Sequence, residues 1–192
     1  MSHQLQFLRE FLRAPGTIGA VTPSSVHLAK AMVEEIGLEQ ARAVVEFGPG
    51  TGVFTEQILR SIPPDCRFFA IEQNPSMASV LRKKLPRLVI FEDSAVNVRS
   101  LCAAQGIGEV DCILSGLPWA SFDNALQDRL LEAIRDVLVP GGRFATFAYL
   151  QGLLLPAGMR FREKLRSTFS EVRQSPIIWR NLPPAFVYRC RK

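Results

Sequence analysis

The sequence predicts an α/β fold built on a mostly parallel, seven-stranded sheet with a closing antiparallel hairpin. Three features carry that expectation. Short apolar runs alternate with longer amphipathic ones. A glycine-rich turn follows the first of the short runs. Two strand-like runs joined by a Pro-Pro link end the chain.

Taken in order, the chain opens with helical segments over 2–14 and 24–37, joined by "PGTIGAVTP". The runs "AVVEF" (43–47), "RFFAIE" (67–72), "LVIF" (88–91), "VDCILS" (110–115) and "RFATFAY" (143–149) read as five buried strands. Helices are expected over 52–62, 75–85, 95–105 and 124–138, their ends marked by Pro-Pro, Asn-Pro, Gly-Ile-Gly and Pro-Gly-Gly. "SEVRQSPIIWR" and "AFVYRCR" form the closing pair.

At 192 residues, 47% hydrophobic and 21% charged, the chain suits a single domain over 1–192 with residues 1–37 as a helical cap. "MSHQLQFLRE" lacks the apolar core of a secretory signal, and "FATFAYLQGLLLPAGM" is too short and too interrupted to span a bilayer. Cys66, Cys102, Cys112 and Cys190 form no close pair, so they read as reduced core residues and not as a metal site. These signs together imply a cytoplasmic protein.

The formal net charge is +5, and it is unevenly placed. From Arg160 onward there are nine Lys and Arg against Glu163 and Glu171. Such an excess either keeps the chain soluble or meets an anionic partner, a nucleic acid or a membrane surface.

"EFGPGTGVFT" (46–55) sits between strand and helix, where open α/β sheets bind nucleotides. Glycines at 48, 50 and 52 let the backbone turn sharply and admit a ligand where a Cβ would block it. A dinucleotide fingerprint needs its third glycine at position 53, which is Val53. Glu72 ends the second strand, where a carboxylate can accept both hydroxyls of a ribose.

The spacing Glu46, Gly48, Gly50, Thr51, Gly52 resembles the first motif of the class I AdoMet-dependent methyltransferases. The resemblance implies a Rossmann-like fold with S-adenosyl-L-methionine as cofactor. It places Glu72 and Gln73 at the ribose and Asp93 and Ser94 at the adenine. "VLVPGGRFATFA" resembles the helix-to-strand passage of the same superfamily.

"SGLPWA" (115–120) follows the fourth strand and ends it, because glycine and proline both disfavour sheet order. Around Glu46–Thr55 the chain also resembles the ribosomal RNA adenine dimethylases, whose fourth-strand motif reads Asn-Leu-Pro-Tyr. There the Asn amide holds the adenine amine and the aromatic stacks on the base. Here the residues are Ser115, Gly116, Leu117, Pro118 and Trp119, so the amide acceptor is gone. With "FLREFLRAPGTIGAVTPSS" ahead of the glycine turn, the whole resembles the bacterial phospholipid N-methyltransferases. That resemblance implies transfer to the amine of phosphatidylethanolamine, towards phosphatidylcholine, by a protein peripheral to the inner face of the membrane. It makes a nucleic-acid acceptor the weaker alternative.

An alkylamine resembles lysine, with a pKa of ~10.4, so neutralising it at pH 7 costs about 4–5 kcal/mol. Proximity and orientation contribute about 7–11 kcal/mol, so a dedicated base is optional. Candidate proton or hydrogen-bond acceptors are the Ser115 hydroxyl, the carbonyls of Ser115, Gly116 and Leu117, Tyr149, and His27. Each has a plainer role open to it: strand end, core tyrosine, solvated helix histidine. Trp119 either covers the methyl group, offers its face to a methylated ammonium, or simply packs. Thr22-Pro23-Ser24-Ser25 is a helix start, and the resemblance folds this segment over the cofactor's methionine end, adding Gly19, Ser24 and Ser25.

Two amphipathic segments bear on the membrane. In 2–14, Leu5, Phe7, Leu8, Phe11 and Leu12 share one arc, making this a candidate membrane-binding helix. In 160–169, Phe161 and Leu165 form a stripe flanked by basic residues that either covers the sheet or meets lipid.

Overall fold

The computed structural model describes residues 24–192. The expected helix over 2–14 and the candidate Gly19 lie outside those residues.

Seven strands form one sheet in the order β3-β2-β1-β4-β5-β7-β6. They are β1 (Ala43–Phe47), β2 (Arg67–Ile71), β3 (Val89–Phe91), β4 (Val110–Ser115), β5 (Leu138–Tyr149), β6 (Glu171–Gln174) and β7 (Ala185–Arg191). β1 to β5 run parallel, while β7 is antiparallel to both β5 and β6. The closing hairpin is therefore as the sequence predicts. β5 begins earlier than expected, because Leu138 already pairs with Val110 of β4, with a register shift before the Cys112–Arg143 pairing resumes.

The helices are α1 (Val26–Val33), α2 (Val53–Ser61), α3 (Pro75–Lys84), α4 (Val98–Ala104), α5 (Asn124–Val137) and α6 (Pro156–Thr168). The segment predicted as one helix over 95–105 divides into a 3₁₀ turn at Ala95–Asn97 and α4. Caps fix several starts: Ser25 Oγ accepts the Leu28 N–H, Asn74 those of Ser76 and Met77, and Asp123 that of Leu126.

Both faces of the sheet are buried. Along β1 the period of two sends Ala43, Val45 and Phe47 into a core shared with α4, α5 and α6. Val44 joins the opposite core with Leu28, Met32, Phe54 and Ile58 of α1 and α2. Glu46 points to that second side as well, and it alone in β1 is charged.

Part of the C-terminal basic excess is spent inside the fold. Arg189 is buried, and its guanidinium donates to the Ala31 carbonyl (3.1 Å) and to Glu35 Oε2 (3.2 Å), closing the end of α1. Lys164 bonds the Asn124 carbonyl and Asp128, tying α6 to α5. The 160–169 stripe covers the core, since Phe161 and Leu165 are both buried.

Candidate active site

The carboxyl ends of β1, β2, β4 and β5 open into a cavity of about 950 Å³. Gly48, Gly50 and Thr51 line one wall, Glu72, Gln73, Asp93 and Ser94 a second, and Gly116, Leu117, Trp119 and Tyr149 a third. The ends of five strands, β1 to β5, far apart in sequence, thus meet at one crevice around the switch in strand order between β1 and β4.

The glycine turn is shaped by its backbone. Gly48, Gly50 and Gly52 all have positive φ. At Gly50, a Cβ would meet nothing nearer than the Met77 methyl at 3.9 Å, so it would project into open cleft. A ligand can therefore approach this backbone closely. Gly52 does not line the cleft; it starts α2, and a Cβ there would strike Leu81 at 2.5 Å.

Glu72 is held ready. Its Oε2 accepts the Gly50 N–H at 3.2 Å and its Oε1 accepts the Asn74 N–H at 2.8 Å. Each oxygen keeps a further lone pair, which suits a vicinal diol. Burial raises the Glu72 pKa, and the N–H donors of Asn74, Gly50 and Gln73 oppose that rise. Asp93 Oδ1 accepts from the Ser94 N–H and from Asn97 Nδ2, so the turn after β3 is braced as well.

Glu46 behaves differently. It is fully buried and does not line the cleft. Thr55 Oγ1 donates to its Oε2 at 2.7 Å, while Oε1 has no partner among the described residues. Burial pushes its pKa up to about 8, with the nearby Glu72 charge adding to the rise. Glu46 therefore joins the end of β1 to the first turn of α2 and sets the glycine turn from behind.

The turn after β4 departs most from expectation. Ser115 is buried and its hydroxyl does not reach the cleft. Its Oγ accepts the Trp119 indole N–H at 3.1 Å and the Leu117 N–H at 3.3 Å. Both lone pairs are taken, so this oxygen cannot receive an amine proton. The Ser115 carbonyl accepts Thr146 Oγ1, and the Leu117 carbonyl accepts the Trp119 N–H. Of the three candidate carbonyls, only that of Gly116 has no partner among the described residues.

Gly116 is also a contact glycine. A Cβ on it would lie 2.6 Å from the Gly48 carbonyl oxygen, so the turns after β1 and β4 touch here. Trp119 packs: its ring stacks on Phe161 with centroids 4.9 Å apart and meets the Phe122 and Phe144 edges. It forms cleft floor, not a movable cover.

Ser24 lines the cleft; Ser25 caps α1 and donates its N–H to Asn181 Oδ1 instead. His27 is exposed, does not line the cleft, and faces Arg180 at 3.4 Å. Tyr149 lines the cleft, and burial raises its pKa, keeping the phenol neutral.

Sequence reasoning missed the cleft's apolar extension. Leu153 and Leu155 after β5 and Phe186 of β7 continue the cavity away from Glu72. The run "LQGLLLP" carried the signal, as apolar residues in a connection where a polar loop would be ordinary.

A family model described as "Methyltransferase domain" matches residues 44–142. An ornithine lipid N-methyltransferase of Singulisphaera acidiphila is 34% identical over 188 residues, covering 96% of this chain and 94% of that protein. A ribosomal RNA small subunit methyltransferase A of Thermotoga petrophila is 29% identical over 60% of this chain and 42% of its own length. Among solved structures, an O-methyltransferase from Streptomyces achromogenes in complex with SAM superposes with a TM-score of 0.65 at 16% identity, covering 100% of this chain and 91% of that one. At that identity the likeness is one of fold.

Proposed function

The chain belongs to the AdoMet-dependent methyltransferase-domain family, and on that premise we propose that it methylates the head-group amine of a membrane lipid. AdoMet, the family's donor, supplies an electrophilic methyl group when bound. The residues present fit it: a Cβ-free approach at Gly50, a diol acceptor in Glu72 and a braced turn at Asp93 and Ser94.

The observation that carries the acceptor class is the turn after β4. It offers a Gly116 carbonyl with no partner among the described residues and no side-chain amide, and the cleft beyond it is lined by Leu153, Leu155 and Phe186. A carbonyl can take an N–H from a tetrahedral amine and aim its lone pair inward. A flat base would ask for paired acceptors and an open aromatic face, and Trp119 gives its face to Phe161. Acyl chains suit the apolar extension. The near full-length likeness to a lipid N-methyltransferase supports the same reading.

Gly116 and the Tyr149 hydroxyl hold the amine, and burial of the site keeps it dehydrated and neutral. Phosphatidylethanolamine and an ornithine lipid both present an alkylamine near an anionic group, and either satisfies this chemistry.

The test is labelled AdoMet with vesicles containing phosphatidylethanolamine, vesicles containing ornithine lipid, or ribosomal RNA. Label in N-methylated lipid is the expected result, and the two vesicle arms identify the head group. Label in N6-methyladenine with unlabelled lipid overturns the proposal.

A further inference from the structure

The rim of the cleft carries an apolar surface that no packing within the described residues explains. Trp179 is 69% exposed, Leu182 76%, Leu155 54% and Met159 48%. They come from two segments, 176–184 and 150–160, which the Leu150 N–H joins by donating to the Pro184 carbonyl at 2.8 Å. Leu155 and Pro183 also line the cleft, so the surface is continuous with the substrate path. The topology accounts for this placement. Ala185 opens β7 opposite Tyr149, which ends β5, so both segments sit at the carboxyl edge of the sheet.

The charge of the rim is one-sided. Segments 150–160 and 176–184 contain Arg160 and Arg180 and no Asp or Glu. Both arginines are exposed and neither forms an ion pair among the described residues. Among the other basic residues of that third, Lys164, Arg173 and Arg189 are paired to carboxylates, while Arg162, Arg166, Arg191 and Lys192 form no ion pair among the described residues. Large exposed apolar side chains beside cations with no carboxylate partner among the described residues match the boundary of an anionic bilayer, where tryptophan sits among head groups and arginine reaches lipid phosphates. A folded protein partner of ordinary composition would more often meet such a rim with carboxylates of its own, and its contact would bury the cleft mouth.

We propose that the Trp179–Leu182 loop, with Leu155, Met159, Arg160 and Arg180, is the surface by which this protein docks on an anionic bilayer, placing the cleft mouth against the lipid head groups. The inference rests on the lipid reading above for its purpose. Docking feeds substrate laterally from the bilayer into the apolar extension, so the head group need not leave the interface by more than the depth of the cleft.

The experiment uses the full chain and vesicles of phosphatidylglycerol, which carry no amine and so test docking whatever the acceptor is. Sedimentation compares the unaltered protein with a Trp179→Ser, Leu182→Ser double variant and with Arg180→Glu, at low and high salt. Thermal melting and AdoMet calorimetry verify that each variant is folded. The expected result is salt-sensitive binding by the unaltered protein, weakened about tenfold or more in each variant. Equal binding by all forms places the contact elsewhere, such as in residues 1–23, and overturns the proposal. No binding by the unaltered protein also overturns it. Turnover of lipid in detergent micelles, measured in parallel, separates the two ideas: variants that dock poorly yet methylate micellar lipid normally uphold both, and protein that docks but methylates no lipid overturns only the substrate reading.

Discussion

The indole N–H of Trp119 donates to the hydroxyl of Ser115 across 3.1 Å of core. This bond turns the strand end back on itself. With the Leu117 N–H on the same oxygen, Ser115 folds the turn that presents Gly116 to the cleft. Ser115 is thus a positioning residue.

Replacing it tests that role. Ser115→Ala leaves a buried indole N–H without its acceptor, at a cost of about 1–3 kcal/mol in stability. Activity at a temperature where the variant is folded should fall modestly, with the pH–rate profile unshifted. A loss of activity with a displaced pH profile would instead assign the hydroxyl to proton transfer. Ser115→Asn should destabilise more, because the larger side chain has no space in the core.

Gly116→Ala tests the contact between turns. Its Cβ would need to clear the Gly48 carbonyl, which is backbone and cannot swing aside. The glycine turn must move, so AdoMet affinity and lipid turnover should fall together. Calorimetry showing unchanged AdoMet affinity would mean the two turns are mechanically independent.

The proposed AdoMet cradle has two separable parts. Glu72→Ala removes the proposed diol acceptor and the brace on Gly50, and should weaken AdoMet binding by tenfold or more, equivalent to ~1.4 kcal/mol. Gly50→Val places a branched side chain in the cleft at a φ of 54°, which β-branched residues avoid, and should abolish binding. Unchanged affinity in both folded variants would remove the assignment of this wall to AdoMet.

Glu46 makes stability depend on pH. Its folded pKa of about 8 lies above the ordinary 4.5, so between those values the folded chain holds a proton that the unfolded chain has released. Stability from this group is therefore greatest at acid pH, declines as pH rises through that window, and levels off above it. The slope is at most ~1.4 kcal/mol per pH unit. Chemical denaturation of Glu46→Gln from pH 5 to 8 should show a flatter profile than the parent chain. An identical slope would mean Glu46 is ionised at neutral pH.

The N-terminal segment has a test of its own. The amphipathic pattern of 2–14 predicts that deleting residues 1–14 weakens binding to anionic vesicles. Combined with the Trp179→Ser, Leu182→Ser pair, the deletion should reduce binding further than either change alone. Full binding by the deleted protein would show that this segment is not an anchor.

Local patterns were enough to read most of the sheet, and for a physical reason. β1 and β4 are buried on both faces, so their sequences are nearly continuous apolar runs with sharp turn residues behind them. The position of Glu72 at the end of β2 was legible from the strand pattern, while its bond to the Gly50 N–H was not, because the two lie far apart in the chain. Asp93 and Ser94 were placed by resemblance to a known family. The division of 95–105 and the early start of β5 were not legible, because cap geometry and a register shift depend on neighbours distant in the chain.

The sequence by itself determined the fold class, the alternation of strands and helices, and the positions of the glycine turn and of Glu72 at a strand end. Those depend on spacing along the chain, where backbone geometry leaves few choices. Only the tertiary structure decided which atoms face the cleft. It took the Ser115 hydroxyl and the Trp119 face into the core, left the Gly116 carbonyl without a partner among the described residues, set Glu46 behind the turn, and spent Arg189 on the end of α1. It also gathered Leu155, Trp179 and Leu182 at one rim from segments that no local pattern joins. Direction and partnership of side chains follow from packing between elements, and packing is set by contacts that sequence distance does not record.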